Sequence, residues 1–337
     1  MNEQIIKNYF KKVNPLNFKD EEILEIKRLG TGESNLNFMI RTNKDTHLLR
    51  FDITNKKATE FRQEFKILKI LEPLNIAQKP LYLDISKKYF KEKLMIFSYL
   101  EGTPLNKLKR NVYSSKYALL AKKIANLHNL NVHFFNRAHS FEKYRARMEK
   151  TIKQLKNDLK NIESKKNILQ MIDFYHKNAG KYLKDYKPKL AFCHGDIGLC
   201  NVLFNGKDFF LIDWELSGKQ DPALELSYHF FEFAYTKKEK RSFLKEYFKI
   251  RQDKTLEKRM KVTDFFVAFL IYFDILHTCF NIFNKKGHKE YLKNANFEEY
   301  WRWGEYYLGV VFNLGLFSKE FKLEIKKDLN KIYTRLK

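Results

Sequence analysis

The sequence has few cysteines and no long apolar run, and both absences narrow the class of protein. Its three cysteines, Cys193, Cys200 and Cys279, fit neither a disulfide framework nor a zinc-ligand spacing, so we expect a reducing, cytoplasmic environment. The longest apolar run, Phe265 to Phe273, has nine residues, about half of the ~20 that a membrane-spanning helix needs. The first residues carry charges and no apolar signal core, so we predict neither secretion nor membrane insertion.

Acidic residues are scarce relative to basic ones. Sixty-five Lys and Arg against 40 Asp and Glu give a net charge of +25, which is compatible with a nucleic-acid, membrane-surface or phosphate-binding protein. The lysines are scattered along the whole chain, on the polar faces of segments whose other face is Phe, Leu and Ile, and no nucleic-acid-binding motif accompanies them. We therefore attribute the charge to a composition typical of an AT-rich genome and predict no nucleic-acid partner.

The hydrophobic pattern changes near residue 100. Short alternating segments and one helical segment come first, in the order β-β-β-α-β-β, and long amphipathic stretches dominate from about Leu105 onward. We predict an α+β fold with a small N-terminal antiparallel β lobe that contains one helix, over residues 1–100, and a larger, mainly helical C-terminal lobe over residues 101–337. Residues 201–204 and 209–212 read as a hairpin within the second lobe.

Three polar residues stand between short apolar runs in that second lobe. Asp196 and Asn201 follow the spacing D-x-x-x-x-N, and the hairpin returns the chain so that Asp213 can lie beside Asn201. An amide oxygen and a carboxylate suit Mg²⁺, which prefers a few hard oxygen ligands, and Asp196 is then free to accept a hydroxyl proton. Solvated turn aspartates would explain any one of these residues, but not all three downstream of a β-β-β-α-β-β lobe.

The first lobe offers candidates for the other parts that phosphoryl transfer needs. Gly30 and Gly32 in "LGTGESNLNF" would let backbone N–H groups approach phosphate. Arg50 in the third strand supplies a cation, and Glu64 on the following helix supplies its carboxylate partner. A glycine-rich turn alone is weak support, and the combination is what indicates a kinase.

In this combination the chain resembles the aminoglycoside phosphotransferase and choline kinase superfamily, whose fold is similar to that of eukaryotic protein kinases. The resemblance runs from about Ile26 to Phe233, in the order "GTGESNLNF", "LLRF", "RQEFKIL", "FSYLEGTPL", "IANLHNL", "HGDIGLCNVLF" and "LIDWE". It implies a two-lobed protein-kinase-like fold and an enzyme that uses ATP and Mg²⁺ to phosphorylate a small-molecule acceptor.

Carried onto this sequence, the resemblance implies a role for each matching residue. Asp196 is expected to be the catalytic base, acting with the magnesium ligands Asn201 and Asp213. His128 and His194 are expected to support the catalytic loop rather than take part in chemistry. Nucleotide binding is assigned to Gly30, Gly32, Ser34, Asn35, Arg50, Glu64, Phe97, Tyr99 and Leu100.

Two segments favour choline or ethanolamine as the acceptor. "DWE", at residues 213–215, and "ELSYHFFEF", at residues 225–233, resemble the corresponding choline kinase segments. Leu216 and Glu225 depart from that pattern, which leaves ethanolamine or another small amino alcohol open beside choline. Another acceptor of the same superfamily, an aminoglycoside, thiamine, a sugar or an amino acid, is the alternative. A nucleotide-binding scaffold without activity is disfavoured because Asp196, Asn201 and Asp213 are all present. Acceptor binding is assigned to Glu215, Glu232, Tyr235, Tyr272 and Phe273.

Overall fold

The computed structural model of the chain describes residues 3–17, 22–31, 35–54, 57–131, 141–184, 186–284 and 296–336. Contacts within the chain group it into two compact units, and each is assembled from two stretches of sequence. The first unit comprises residues 1–123 and 199–215, and the second comprises residues 124–198 and 216–337. The lobe boundary near residue 100 rests on the change in sequence pattern and stays a prediction.

The first unit contains a five-stranded antiparallel sheet in the order β1-β2-β3-β5-β4. The predicted order β-β-β-α-β-β is confirmed, and a further helix, α1, precedes it. The elements are α1 (Glu3–Val13), β1 (Ile23–Thr31), β2 (Asn35–Thr42), β3 (Thr46–Asp52), α2 (Ala58–Leu71), β4 (Pro80–Asp84) and β5 (Lys93–Ser98).

Both faces of this sheet carry buried side chains, because successive residues of a strand point to opposite faces. Leu49 and Phe51 of β3 pack in one core cluster with Tyr9 and Phe10 of α1. Arg50, which lies between them in the strand, points to the other face, where α2 contributes the carboxylate that it meets. The alternation of β3 therefore separates an apolar core from a charged, buried pair.

A smaller three-stranded sheet completes the first unit and contains the predicted hairpin. It consists of β6 (Thr103–Pro104), β8 (Val202–Phe204) and β9 (Phe209–Leu211), in the order β6-β8-β9. The antiparallel register pairs Val202 with Leu211. The side chain of Asn205 accepts hydrogen bonds from the N–H groups of residues 207 and 208, which stabilises the turn between the two strands.

The second unit is mainly helical, as predicted. Its short strands β7 (Ala191–Cys193) and β10 (Gly218–Gln220) pair antiparallel. The helix α3 (Tyr117–His128) carries the chain from the first unit into the second. The helices that follow are α4 (Phe141–Asp158), α5 (Lys166–Leu183), α6 (Pro222–Glu232), α7 (Lys237–Ile250), α8 (Leu256–Phe283), α9 (Phe297–Asn313) and α10 (Lys319–Leu336).

The 28-residue helix α8 lies in the core of the second unit. By length and composition it could cross a membrane, and it is the single such helix within the described ranges. Its most apolar window is 61% buried in the protein, and its side chains share one hydrophobic cluster with residues of α4, α5, α9 and α10. A core helix packed on several sides needs apolar residues around most of its circumference.

Candidate active site

In the first unit, Arg50 and Glu64 form a buried ion pair, with 2.7 Å between Nη1 and Oε1 and side-chain exposures of 7% and 6%. Glu64 occupies the apolar stripe of α2, between Phe61 and Leu68. A carboxylate at such a position is costly unless it is paired, so Arg50 explains why the helix tolerates it. The guanidinium also lies 5.4 Å from the centre of the Phe97 ring, a cation–π distance. The predicted ion pair is therefore present.

The remaining nucleotide-binding candidates are distributed along the same sheet. Gly30 is in β1, and Asn35, the first residue of β2, is buried with an Oδ1 atom that has no hydrogen-bond partner within the described chain. Tyr99 follows β5 and donates its backbone N–H to Thr46 O at 3.1 Å, and Leu100 comes directly after it. Gly32 and Ser34 lie outside the described residues. Their roles in binding nucleotide stay predictions.

The hairpin of β8 and β9 sets Asp213 beside Asn201. The backbone N–H of Ile212 donates to the carbonyl oxygen of Asn201 at 3.0 Å, so the pairing continues to the residue before Asp213. Asp213 has φ +66°, a left-handed conformation that non-glycine residues adopt rarely and at a cost. Its Oδ1 atom is buried without a hydrogen-bond partner in the described residues. A buried carboxylate oxygen left in this way next to an amide side chain fits a divalent cation.

In the second unit, one face of α6 holds the loop of residues 194–198. Glu225 Oε1 accepts the backbone N–H of Gly195 at 2.5 Å, and Tyr228 hydrogen-bonds the side chain of Asp196. His229 Nδ1 lies 3.4 Å from the carbonyl oxygen of Ile197. Burial lowers the pKa of His229 to about 3, so the ring is neutral and donates from Nδ1. Three side chains of one helix thus position three successive loop residues.

Glu225 connects this loop to α3 and α7. Its Oε2 atom lies 2.7 Å from His128 Nε2, and His128 Nδ1 lies 2.8 Å from the hydroxyl of Tyr247. Burial alone would raise the pKa of Glu225, but the hydrogen bonds from His128 and Gly195 bring it below its ordinary value. Glu225 therefore stays ionised. His128 has the supporting contact that was expected of it.

Gly195 is required by the geometry of the loop. Its φ is +89°, and a Cβ atom at this position would overlap the carbonyl oxygen of Leu216. Any side chain would therefore force the backbone apart beside Asp196, so the loop depends on glycine both for its conformation and for space.

Three oxygen atoms converge around Gly198 in the second unit. An ideal Cβ built on this glycine would lie 3.4 Å from the hydroxyl of Tyr228, 3.7 Å from Glu232 Oε2 and 3.9 Å from Asp196 Oδ1. Tyr228 and Glu232 are four residues apart on α6, so they share one helix face. Two carboxylates and a phenol thus surround a position where the chain carries no side chain.

The electrostatics of this group are unbalanced. Burial and the nearby Asp196 raise the pKa of Glu232, while a hydrogen bond from the hydroxyl of Tyr307 opposes the rise. No lysine or arginine of the described chain forms an ion pair with Glu232. Arg147, whose charge interacts with Tyr228, pairs with Asp274. A positively charged ligand would compensate the carboxylate of Glu232.

The other acceptor candidates occupy different surroundings. Tyr272 and Phe273 are almost fully buried in the core of the second unit. The hydroxyl oxygen of Tyr235 lies 3.2 Å from His229 Nε2, and the ring of Tyr235 packs against Phe230 and Phe233. Glu215 is half-buried in a short 3₁₀ turn of the first unit. Of the five acceptor candidates, only Glu232 lies in the group around Gly198, and the roles of the other four stay predictions.

Three tyrosines that contact or interact electrostatically with Asp196 or Glu232 were not among the sequence candidates. Tyr228 could have been recognised, since it precedes Glu232 by one helical turn on α6. Tyr307 and Tyr144 come from α9 and α4, far away in the sequence, and only tertiary packing brings them here. Burial, opposed by Arg147 and assisted by Asp196, raises the pKa of Tyr144 to about 12, so its hydroxyl stays protonated.

Comparison with known proteins identifies the family of the chain. The profile of the phosphotransferase enzyme family matches residues 25–261, which is well over half of the 337 residues. The chain therefore belongs to the phosphotransferase enzyme family, and the resemblance found in the sequence is confirmed. Among curated protein sequences, none matches the chain.

Solved structures of several kinases share the fold. Choline kinase LicA from Streptococcus pneumoniae is 19% identical, with a TM-score of 0.60 over 94% of this chain and 99% of that one. An ethanolamine kinase from Plasmodium vivax is 17% identical, with a TM-score of 0.59 over 96% and 92%. A spectinomycin phosphotransferase in complex with ADP and spectinomycin is 14% identical, with a TM-score of 0.62 over 94% and 99%. At these identities the likeness establishes the two-lobed kinase-like fold.

Proposed function

We propose that the protein uses ATP and Mg²⁺ to phosphorylate the hydroxyl group of a small amino alcohol, choline or ethanolamine. The observation that carries the proposal is the group of Asp196, Tyr228 and Glu232 around Gly198. A cationic amine compensates the half-buried carboxylate of Glu232. A hydroxyl two carbons away from that amine can then reach Asp196. Choline and ethanolamine kinases among the structural neighbours support the same class of acceptor.

Each group has a defined part in the proposed reaction. Asp196 accepts the proton of the acceptor hydroxyl while the oxygen of that hydroxyl bonds to the γ-phosphorus of ATP. The bond from the γ-phosphorus to the β,γ-bridging oxygen breaks, and ADP is released. Tyr228 donates a hydrogen bond that orients Asp196. Glu232, oriented by Tyr307, holds the ammonium group.

The first unit supplies the residues proposed for the nucleotide. Arg50, held by Glu64, would pair with phosphate oxygens, and Asn201 and Asp213 would hold Mg²⁺ through oxygen atoms. The buried Oδ1 of Asp213, which has no hydrogen-bond partner among the described residues, supports this part of the proposal. Bound Mg²⁺ would neutralise phosphate charge during transfer.

The test is a coupled assay of ADP release over a panel of acceptors. Ethanolamine, its mono- and dimethylated forms and choline vary the ammonium alone, and spectinomycin, thiamine and a hydroxyl amino acid represent the other acceptor classes. We expect the highest kcat/KM within the ethanolamine-to-choline series. A higher kcat/KM for an aminoglycoside would instead place the protein among the aminoglycoside phosphotransferases. Nucleotide binding without turnover on any acceptor would favour a scaffold.

A further inference from the structure

A second cavity in the helical unit is lined largely by basic side chains. It has a volume of about 770 Å³ and lies between the end of α5, residues 186–189 and the start of α8. None of the residues proposed for phosphoryl transfer lines it. The basic residues in its wall are Lys181, Lys187, Lys189, Lys258, Arg259 and Lys261.

The charge of this cavity exceeds what the composition explains. Lys and Arg make up about a fifth of the chain but nearly half of the thirteen lining residues, and no acidic residue of the described chain lines the cavity. Like charges held close together raise the free energy of the folded state. An anion that binds between them lowers it.

Most of this charge is available to a ligand. Arg259 is committed, because its guanidinium binds Asp221 at 2.8 Å and Asp253 at 3.0 Å. Lys189 lies 3.6 Å from Asp253. The other four lysines form no ion pair with any described carboxylate, and all four are exposed at the cavity rim.

We infer that this cavity binds a small polyanion that carries at least two phosphate groups. Its volume is in the usual range of small-molecule pockets, roughly 300–1,000 Å³, and a concave site suits a compact ligand better than a flat membrane. Lysine ammonium groups are point charges that suit phosphate oxygens. Tyr182, Val262 and Leu316 add ring and aliphatic surface to the wall, which can contact the carbon frame of such a ligand.

The test is calorimetric titration of the full chain with fructose 1,6-bisphosphate as probe, in the presence of an excess of a non-hydrolysable ATP analogue. We expect one bound molecule per chain. Lys258→Glu with Lys261→Glu should weaken binding at least about tenfold, or 1.4 kcal/mol. The control variant, Lys327→Glu with Lys331→Glu, makes the same charge change at exposed positions of α10 and should leave affinity within about twofold.

Several outcomes would overturn the inference. No binding of the bisphosphate to the wild-type chain is one, and equal weakening in both double variants, which indicates diffuse attraction to a basic protein, is another. Binding only to vesicles of phosphatidylcholine and phosphatidylglycerol would assign the surface to a membrane. If the variant with Lys258→Glu and Lys261→Glu fails to fold, Lys181→Gln with Lys187→Gln removes two other charges of the cavity at exposed positions and should likewise weaken binding. Because these titrations measure binding and not turnover, they test the cavity independently of the proposed kinase activity.

Discussion

Two sites, one in each unit, treat charge in opposite ways. In the first unit, Glu64 is buried opposite Arg50, and each charge cancels the other. In the second unit, Glu232 is half-buried near a like charge, Asp196, and its pKa is raised. The charges of Arg50 and Glu64 balance each other, whereas no lysine or arginine of the described chain forms an ion pair with Glu232. Charge balance thus distinguishes the paired Arg50 and Glu64 from the group around Gly198, which we propose binds an amine.

Glu64→Gln should have the largest effect, because it leaves the buried Arg50 guanidinium without a counter-charge. We expect the free energy of unfolding in a denaturant titration to fall by about 3–5 kcal/mol, the usual cost of removing one partner of a buried pair. Glu25→Gln is the matched control in the same sheet. Its partner Arg41 is more than half exposed, so the loss there should not exceed about 1 kcal/mol. Equal losses would mean that the Arg50 pair is not buried.

Asp196→Asn should slow turnover at least about a hundredfold, or 2.7 kcal/mol, because the amide cannot accept the hydroxyl proton. The dissociation constant for ATP should stay nearly unchanged. Steady-state kinetics and nucleotide titration measure the two quantities separately. Asp173→Asn, the same change at an exposed position of α5, should be silent. Wild-type turnover in the Asp196 variant would exclude it as the base.

Glu232→Gln should raise the KM for a cationic acceptor about tenfold, since a hydrogen bond to a charged group contributes about 1.5–3 kcal/mol. The KM for ATP should change much less. Glu305→Gln, on the exposed side of α9, is the control for loss of one negative charge. An equal rise in both KM values would mean that the ammonium binds elsewhere.

The same Glu232→Gln variant should also be slightly more stable than the wild-type chain at alkaline pH, without ligand. The raised pKa of Glu232 means that the folded wild-type chain is favoured while this carboxyl is protonated. That contribution is complete below the unfolded-state pKa and is lost as pH rises through the folded-state pKa.

The free energy of unfolding of the variant should therefore exceed that of the wild-type chain by an amount that grows as pH rises above the ordinary glutamate pKa. The difference should level off at up to about 1 kcal/mol, a typical size for one substitution. Thermal unfolding across a pH series measures it. A variant that is less stable at alkaline pH would show that the wild-type carboxylate is already compensated.

Local patterns in the sequence were sufficient for much of the fold. Strand alternation predicted the five-stranded sheet, and the turn residues predicted the hairpin that brings Asp213 to Asn201. The parts that phosphoryl transfer needs, a cation on the third strand and a carboxylate on the following helix, predicted the pairing of Arg50 with Glu64. These features depend on residues near in sequence or on one strand-to-helix contact.

The acceptor region was harder to predict, because it is assembled from distant segments. Tyr307 meets Glu232 across 75 residues, and no local pattern indicates that contact. Tyr272 and Phe273 are aromatic, as residues that line an amine pocket are, yet they are buried in the core. With 16% aromatic residues, the sequence offers too many rings for composition to separate packing from binding.

The hairpin of β8 and β9 has a consequence for how this protein can be divided. Its strand β8 pairs with β6 from a stretch about a hundred residues earlier, and the N–H of Leu211 in β9 donates to Ile76 O at 2.7 Å. The first unit is therefore not one continuous segment of polypeptide. A fragment that ends at residue 123 would leave the edge of β6 open and would lack both proposed metal ligands. Neither unit can be cut out, transplanted or expressed alone by a single break in the chain.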